Sequence, residues 1–356
     1  MIFKQDDWKR TQVRLPPEVH EQLNRYAEIN GLSQNAAILQ ILEKVLNSDV
    51  AVSKLTIVES LKNIEMLLNS KRFQFDNDSL IASRLNECLK MTNEISHLKL
   101  TPSKVAEIMG ENSAHQFSNY FAGTEQPSFF ELDNFARFFG VNSEWLKHGN
   151  LPKFKVEYDR LSTRPEEAVK EILNIPLYSP IEIEPEDHKE NNPFAPVRPK
   201  DIYLVRNDSK AGEFLIVRKY NEWVVDVLKT PIHVSDVIGA GGESMLKSLF
   251  VTLKFLYELY TNSRLENCVF VKGFIVSDSE FNDLCEGVLH PLEVLKYCSN
   301  NTWWEDIWDE KMSVTNSYWD GFRKISSHIQ RCVNEDKYLS DVSQRITMHD
   351  FDILKK

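Results

Sequence analysis

Near the start of the chain three long polar side chains alternate with three less polar ones, Arg10, Gln12 and Arg14 against Thr11, Val13 and Leu15. Successive side chains of an extended strand point to opposite faces, so this spacing gathers two guanidinium groups and a carboxamide on one side. The chemistry open to such a face is hydrogen-bond reading of base edges. An Arg fork matches O6 and N7 of guanine, and a Gln amide matches N6 and N7 of adenine. A two-stranded ribbon fits the major groove that displays those atoms. A single strand leaves its edges unpaired, so a second strand is expected beside it.

The elements that would hold this face follow directly. Pro16 and Pro17 end the strand, and Pro17 suits the first position of a helix, where an amide is not needed. Val19, Leu23, Tyr26 and Ala27 recur at helical spacing, with Glu21, Asn24, Arg25 and Glu28 on the other side. Asn30-Gly31 closes that helix, and Ser33 is a good N-cap for a second one carrying Ile38, Ile41, Leu42, Val45 and Leu46. Strand, helix and helix in this order resemble the Arc/MetJ ribbon-helix-helix family, and its Arc branch in particular, over about 37 of the 356 residues. The resemblance implies a DNA-binding domain over residues 1–49 and an obligate homodimer whose strands pair into one antiparallel ribbon. It places Arg10, Gln12 and Arg14 at the base-reading positions and matches Ser33 and Asn35 to a phosphate clamp. The alternative is an ordinary strand and helical hairpin inside a larger domain.

A second module is expected over residues 80–150. Thr101 and Pro102 start a short helix with Val105, Ala106 and Met109 inside, and Gly110 turns the chain into another holding Phe117, Tyr120 and Phe121. Ser128 caps a third helix containing Leu132, Phe135, Ala136 and Phe139; Val141 to Leu146 begins a last one; Leu85, Leu89 and Ile95 mark a helix in front. The stretch 84–149 resembles the all-α helix-turn-helix domain of Cro and phage CI-type repressors. That resemblance implies a second DNA-reading helix over residues 113–121, exposing Ser113, His115, Gln116 and Asn119. It departs from the family in charge: residues 111–135 hold Glu111, Glu125, Glu131 and Asp133 but no Lys or Arg. Neutralising phosphates supplies most non-specific affinity, so the departure leaves a dimerisation or partner-docking module as the other reading.

Between the two modules, residues 50–79 carry Leu55, Val58, Leu61, Ile64 and Leu68 at helical spacing, followed by the polar run Asp76-Asn77-Asp78-Ser79. A connecting helix and spacer are expected there. Residues 151–200 contain eight of the 14 prolines and the acidic stretch Glu182 to Asp187, which read as a linker interrupted by a short helix at Glu166 to Leu173. Residues 201–356 read as an α+β domain for sensing or assembly. Strands are expected at 202–205, 213–219 and 223–228, an apolar helix at 244–260, a strand at 268–276, and helices at 279–298 and 317–334. The whole is a multidomain chain.

No catalytic constellation stands out, so a non-enzyme without cofactor or metal is expected. Gly239-Ala240-Gly241-Gly242-Glu243-Ser244 precedes a helix but lacks the P-loop spacing, no GxSxG is present, and the nine histidines show no ligand spacing with Cys or carboxylates. Ser209, Lys210 and Lys229 lack the Ser-Met context and cleavage dipeptide of a LexA-like self-cleaving domain. Trp303, Trp304, Trp308 and Trp319 hold four of the seven tryptophans in one acidic stretch; core packing is the commoner reading, and a ligand or partner pocket the alternative. Five cysteines without a CxxC pair, no membrane-length apolar run and no signal-like N-terminus place the chain in a reducing cytoplasm. The net charge of −11 predicts modest non-specific affinity for nucleic acid.

These features together point to a prokaryotic or phage-type transcriptional regulator, a repressor in the simplest case, binding double-stranded DNA as a dimer or higher oligomer and taking a small-molecule or protein effector at its C-terminal domain. The competing expectation is a DNA-anchored effector or an antitoxin-like component of a toxin or defence system, with an unrecognised C-terminal activity.

Overall fold

A computed structural model of the chain describes residues 17–29, 33–38, 77–96, 98–174, 198–261 and 269–349. It forms two compact units, Met1–Gln74 and Phe75–Lys356. The ribbon strand expected at 10–15 and most of the connecting helix expected at 50–79 lie outside the described residues.

In the first unit, helix α1 (Pro17–Ile29) starts on its proline. A second helix, α2, occupies residues 34–38. Ser33 caps it as its residue type suggests, its Oγ accepting the Ala36 amide at 3.3 Å. The two buried residues known here are both small, Ala27 and Ala37. Leu23 and Ile38 are only half-buried in the single chain and Tyr26 is 37 % exposed.

The second unit opens with five helices: α3 (Asn77–Ile95), α4 (Pro102–Ile108), α5 (His115–Ala122), α6 (Phe129–Phe139) and α7 (Ser143–His148). Their ends follow from local chemistry. The Thr101 side chain accepts the Lys104 amide, and Ser128 and Glu131 form a reciprocal capping box at the start of α6. Gly140 ends α6 with φ 68° and sits where a Cβ would be 3.1 Å from the Val224 backbone, so both conformation and space ask for glycine. Leu85, Phe117, Phe135, Phe139 and Leu146 fill the core of this bundle. The polar run at 77–79, expected as spacer, is instead the first turn of α3, a place where Asn, Asp and Ser are well suited.

Beyond the bundle lies one six-stranded mixed sheet, ordered β1-β4-β3-β2-β5-β6. Its strands are β1 (Val156–Tyr158), β2 (Asp201–Asn207), β3 (Glu213–Lys219), β4 (Val225–His233), β5 (Phe270–Val276) and β6 (Asn300–Asn301). Strand β2 runs antiparallel to β3 and parallel to β5, and β1 joins the far side parallel to β4. Both faces are buried, which explains the nearly continuous apolar runs. Ile202, Leu204, Phe214 and Ile216 face helices α8 (Pro165–Ile172), α9 (Ala240–Thr261), α14 (Phe322–Glu335) and α15 (Lys337–Thr347). The alternating Tyr203, Val205, Leu215 and Val217 face α10 (Asp278–Glu286) and α11 (Pro291–Leu295). Two short helices, α12 (Trp303–Asp306) and α13 (Glu310–Thr315), complete the α9 side.

Several expectations change. The linker expected over 151–200 gains a strand, Val156 pairing with Val227 in the sheet, while the short helix expected at Glu166 to Leu173 is present as α8 and buries Ala168, Val169 and Ile172. Pro165 begins α8, where it costs no hydrogen bond. The helical stretch expected over 279–298 divides in two, Gly287 closing α10 with φ 63° and Pro291 standing in the first turn of α11. The helix expected from 317 starts at Phe322. The helical bundle and the sheet also belong to one compact unit, joined by Trp223. This residue, expected at the start of a strand, inserts into the bundle core, and its Nε1 donates to the Phe138 carbonyl at 2.7 Å.

Candidate nucleic-acid interface

Of the ribbon-helix-helix residues, Arg10, Gln12 and Arg14 lie outside the described residues. Ser33 and Asn35 are exposed at the start of α2, the end of a helix whose dipole favours an anion. Across the hairpin, Gln34 Nε2 donates to Asn24 Oδ1 and lies 3.4 Å from His20 Nε2, so polar side chains tie α1 to α2.

The second candidate face is on α5. Ser113, His115 and Gln116 are exposed and Asn119 is half-buried. Three of the four side chains have partners within the protein: Ser113 Oγ accepts the His115 amide at 3.3 Å, Gln116 Nε2 bonds Tyr120 Oη at 2.5 Å, and Asn119 Nδ2 donates to Glu125 Oε2 at 3.3 Å. Tyr120 in turn donates to Glu131 at 2.6 Å. Burial works to raise the Glu131 carboxyl, but hydrogen bonds from Ser128 and Tyr120 outweigh it and hold the group below its usual range. The carboxylate behind this helix therefore stays charged at neutral pH, opposing an approaching phosphate backbone. Lys147, close to Asp133, is the leading reason that carboxyl also sits low, so this lysine is already neutralised.

The tryptophan stretch is mostly interior. Trp303, Trp304 and Trp319 are buried, and Trp303 Nε1 donates to the Phe274 carbonyl at 3.2 Å. Arg206 stacks on Trp319 with its guanidinium carbon 4.0 Å from the ring centre. Trp308 differs: with Lys254, Asp309, Gln330, Asn334 and Ser343 it lines an open cavity of about 230 Å³. The four indoles therefore do not share one pocket. Among the described residues no helix is long and apolar enough to cross a membrane.

One grouping escaped the sequence reading. Glu243 in the first turn of α9 meets His328 and Cys332 of α14, the three ligand-type atoms lying within 4.8 Å of one another. His328 and Cys332, four residues apart on one face of α14, correct the expectation that no histidine stands at ligand spacing from a cysteine. Glu243, 85 residues before His328, was not legible as their neighbour.

Residues 7–54 match the family described as Arc-like DNA binding domain. Comparison with curated proteins and with solved structures gave no match. The chain thus carries an Arc-like DNA-binding domain at its N-terminal end, and the matched segment contains Arg10, Gln12, Arg14, Ser33 and Asn35.

Proposed function

We propose that this protein is a dimeric, sequence-specific DNA-binding transcriptional regulator, a repressor in its simplest form, reading the major groove through a ribbon contributed by two chains. The observation that carries this reading is the Arc-like match over residues 7–54, which places the alternating Arg10, Gln12 and Arg14 inside a DNA-binding domain. The dimer is supported by Leu23, Tyr26 and Ile38, which the single chain leaves partly exposed on a helical hairpin that a second copy would cover. Base reading falls to the ribbon rather than to α5, because Gln116 and Asn119 are engaged by neighbours and Glu131 stays charged behind them. The larger unit then serves for effector binding or assembly.

The test is selection from a random-duplex pool by full-length protein, beside a triple Arg10→Ala, Gln12→Ala, Arg14→Ala variant. The expected outcome is an inverted repeat enriched by the wild type and lost by a variant that remains dimeric. Enrichment of the same motif by both would transfer reading to α5. Failure of the wild type to enrich any motif would remove the regulator reading in favour of a protein-binding role.

A further inference from the structure

We propose that Glu243, His328 and Cys332 form a binding site for a divalent ion of the zinc class, clamping the start of α9 to α14. This site is independent of the DNA-binding reading.

Three observations support it. The donor set of thiol, imidazole and carboxylate is the mixture of sulfur, nitrogen and oxygen ligands that zinc accepts, whereas calcium and magnesium prefer oxygen alone. The ligands come from two rigid helices, with His328 and Cys332 one turn apart on the same face of α14 and Glu243 delivered by α9. The spacing is also close to what coordination requires. Bond lengths of about 2.3 Å to sulfur and 2.0–2.1 Å to nitrogen and oxygen, at tetrahedral angles, put sulfur and nitrogen about 3.6 Å apart and nitrogen and oxygen about 3.4 Å apart. Here Cys332 Sγ lies 3.8 Å and Glu243 Oε2 lies 2.8 Å from His328 Nε2. Entry of an ion therefore needs the carboxylate to withdraw by roughly half an ångström, within a rotamer adjustment, while the thiol is already placed.

The surroundings allow the change. Glu243 and His328 keep 36 % and 37 % of their side-chain surface exposed, so an ion can reach them. Arg331 Nη2 lies 3.3 Å from His328 Nδ1, and its exposed side chain can swing aside as that nitrogen takes up the ring proton. Lys247, one turn beyond Glu243, is paired with Asp336 at 3.1 Å, which offsets a second cation near the site. On binding, the Cys332 sulfur–hydrogen bond breaks, the proton leaves to solvent, and the sulfur's electron pair forms the bond to the ion. Three protein ligands leave a fourth position for water.

Cobalt(II), whose bonds to thiolate absorb in the near ultraviolet, is the probe. Tag-free full-length protein, stripped by a chelator, is titrated with cobalt and then with zinc. The expected result is one equivalent of cobalt taken up with a sulfur-to-metal band, displaced by zinc. The band is lost in C332S and kept in a C298S control, and zinc affinity falls at least about tenfold in H328Q and E243Q. Equal melting temperatures of the stripped wild type and variants separate loss of ligation from misfolding. No thiolate band in the wild type, or a band that survives in C332S, overturns the proposal; in either case the Glu243–His328 contact is a helix-to-helix hydrogen bond only.

Discussion

Protonation of His290 should loosen the joint between the helical bundle and the sheet. The ring is 2 % exposed and lies edge-on to Phe154, 4.9 Å between centres. Its Nε2 faces the Trp223 carbonyl at 2.8 Å and its Nδ1 accepts the Leu292 amide at 3.2 Å. Those partners fix one neutral tautomer, with the proton on Nε2. A second proton on Nδ1 would point at an amide hydrogen already there. Burial, the main cause, pushes this histidine down to about 4 from its ordinary 6.5, and nearby Lys153 adds to the effect while the Trp223 carbonyl opposes it. The unfolded chain therefore binds the proton first as pH falls. The contribution to stability is fully present above pH 6.5, declines as the pH drops, and is lost below the folded value. The full window corresponds to about 3 kcal/mol, and about 2 kcal/mol is already gone at about pH 5. The assay is urea unfolding of full-length protein at about pH 7.5 and about pH 5, followed by tryptophan fluorescence, for wild type and His290→Asn. Asn keeps an acceptor for the Leu292 amide and cannot titrate. The variant should be less stable at the higher pH, having lost the bond to Trp223, and its further loss on acidification should be smaller than that of the wild type by about 2 kcal/mol. Equal losses in the two proteins would refute the assignment of His290 as the titrating joint.

Three further outcomes are expected. Gly273→Ala should destabilise the second unit by about 1–3 kcal/mol in urea unfolding, since a Cβ there would lie 2.6 Å from the Asn301 carbonyl oxygen and 2.7 Å from the Trp304 ring. Arg206 donates to the carbonyls of Val234, Asn207 and Ser209 from a buried site. Arg206→Met, which keeps the stem and removes the donors, should cost about 2–4 kcal/mol by thermal or chemical unfolding, because three inward-facing acceptors lose their partner; a change under about 0.5 kcal/mol would show those carbonyls to be satisfied otherwise. Gln116→Ala with Asn119→Ala should leave both the selected DNA motif and the salt dependence of binding unchanged, whereas Arg10→Ala should weaken binding to the preferred site by about 1–3 kcal/mol in a filter or anisotropy titration.

Much of the local architecture was legible from residue types. Thr101 and Ser128 announced helix starts, and each does that work through a short-range hydrogen bond that needs no distant partner. The apolar runs of 202–205 and 213–219 marked two strands because short, nearly continuous apolar stretches suit strands covered on both faces. Trp303 and Trp319 were open between core and pocket, since an indole in an acidic stretch carries no record of which way the chain will fold over it.

The sequence by itself determined the Arc-like segment over residues 7–54, which contains Arg10, Gln12 and Arg14, together with helix caps and short apolar strand runs further on. Tertiary structure alone decided which distant groups meet. It brought Trp223 into a helical bundle that precedes it by more than 70 residues, enclosed His290 between Trp223 and Phe154, made Val156–Tyr158 of the expected linker a sheet edge, and set Glu243 beside His328 and Cys332. The physical reason is range. Caps and short apolar runs are written in residues a few positions apart, whereas burial and side-chain meetings depend on how whole helices and strands pack, and many sequences with the same local pattern could pack them otherwise.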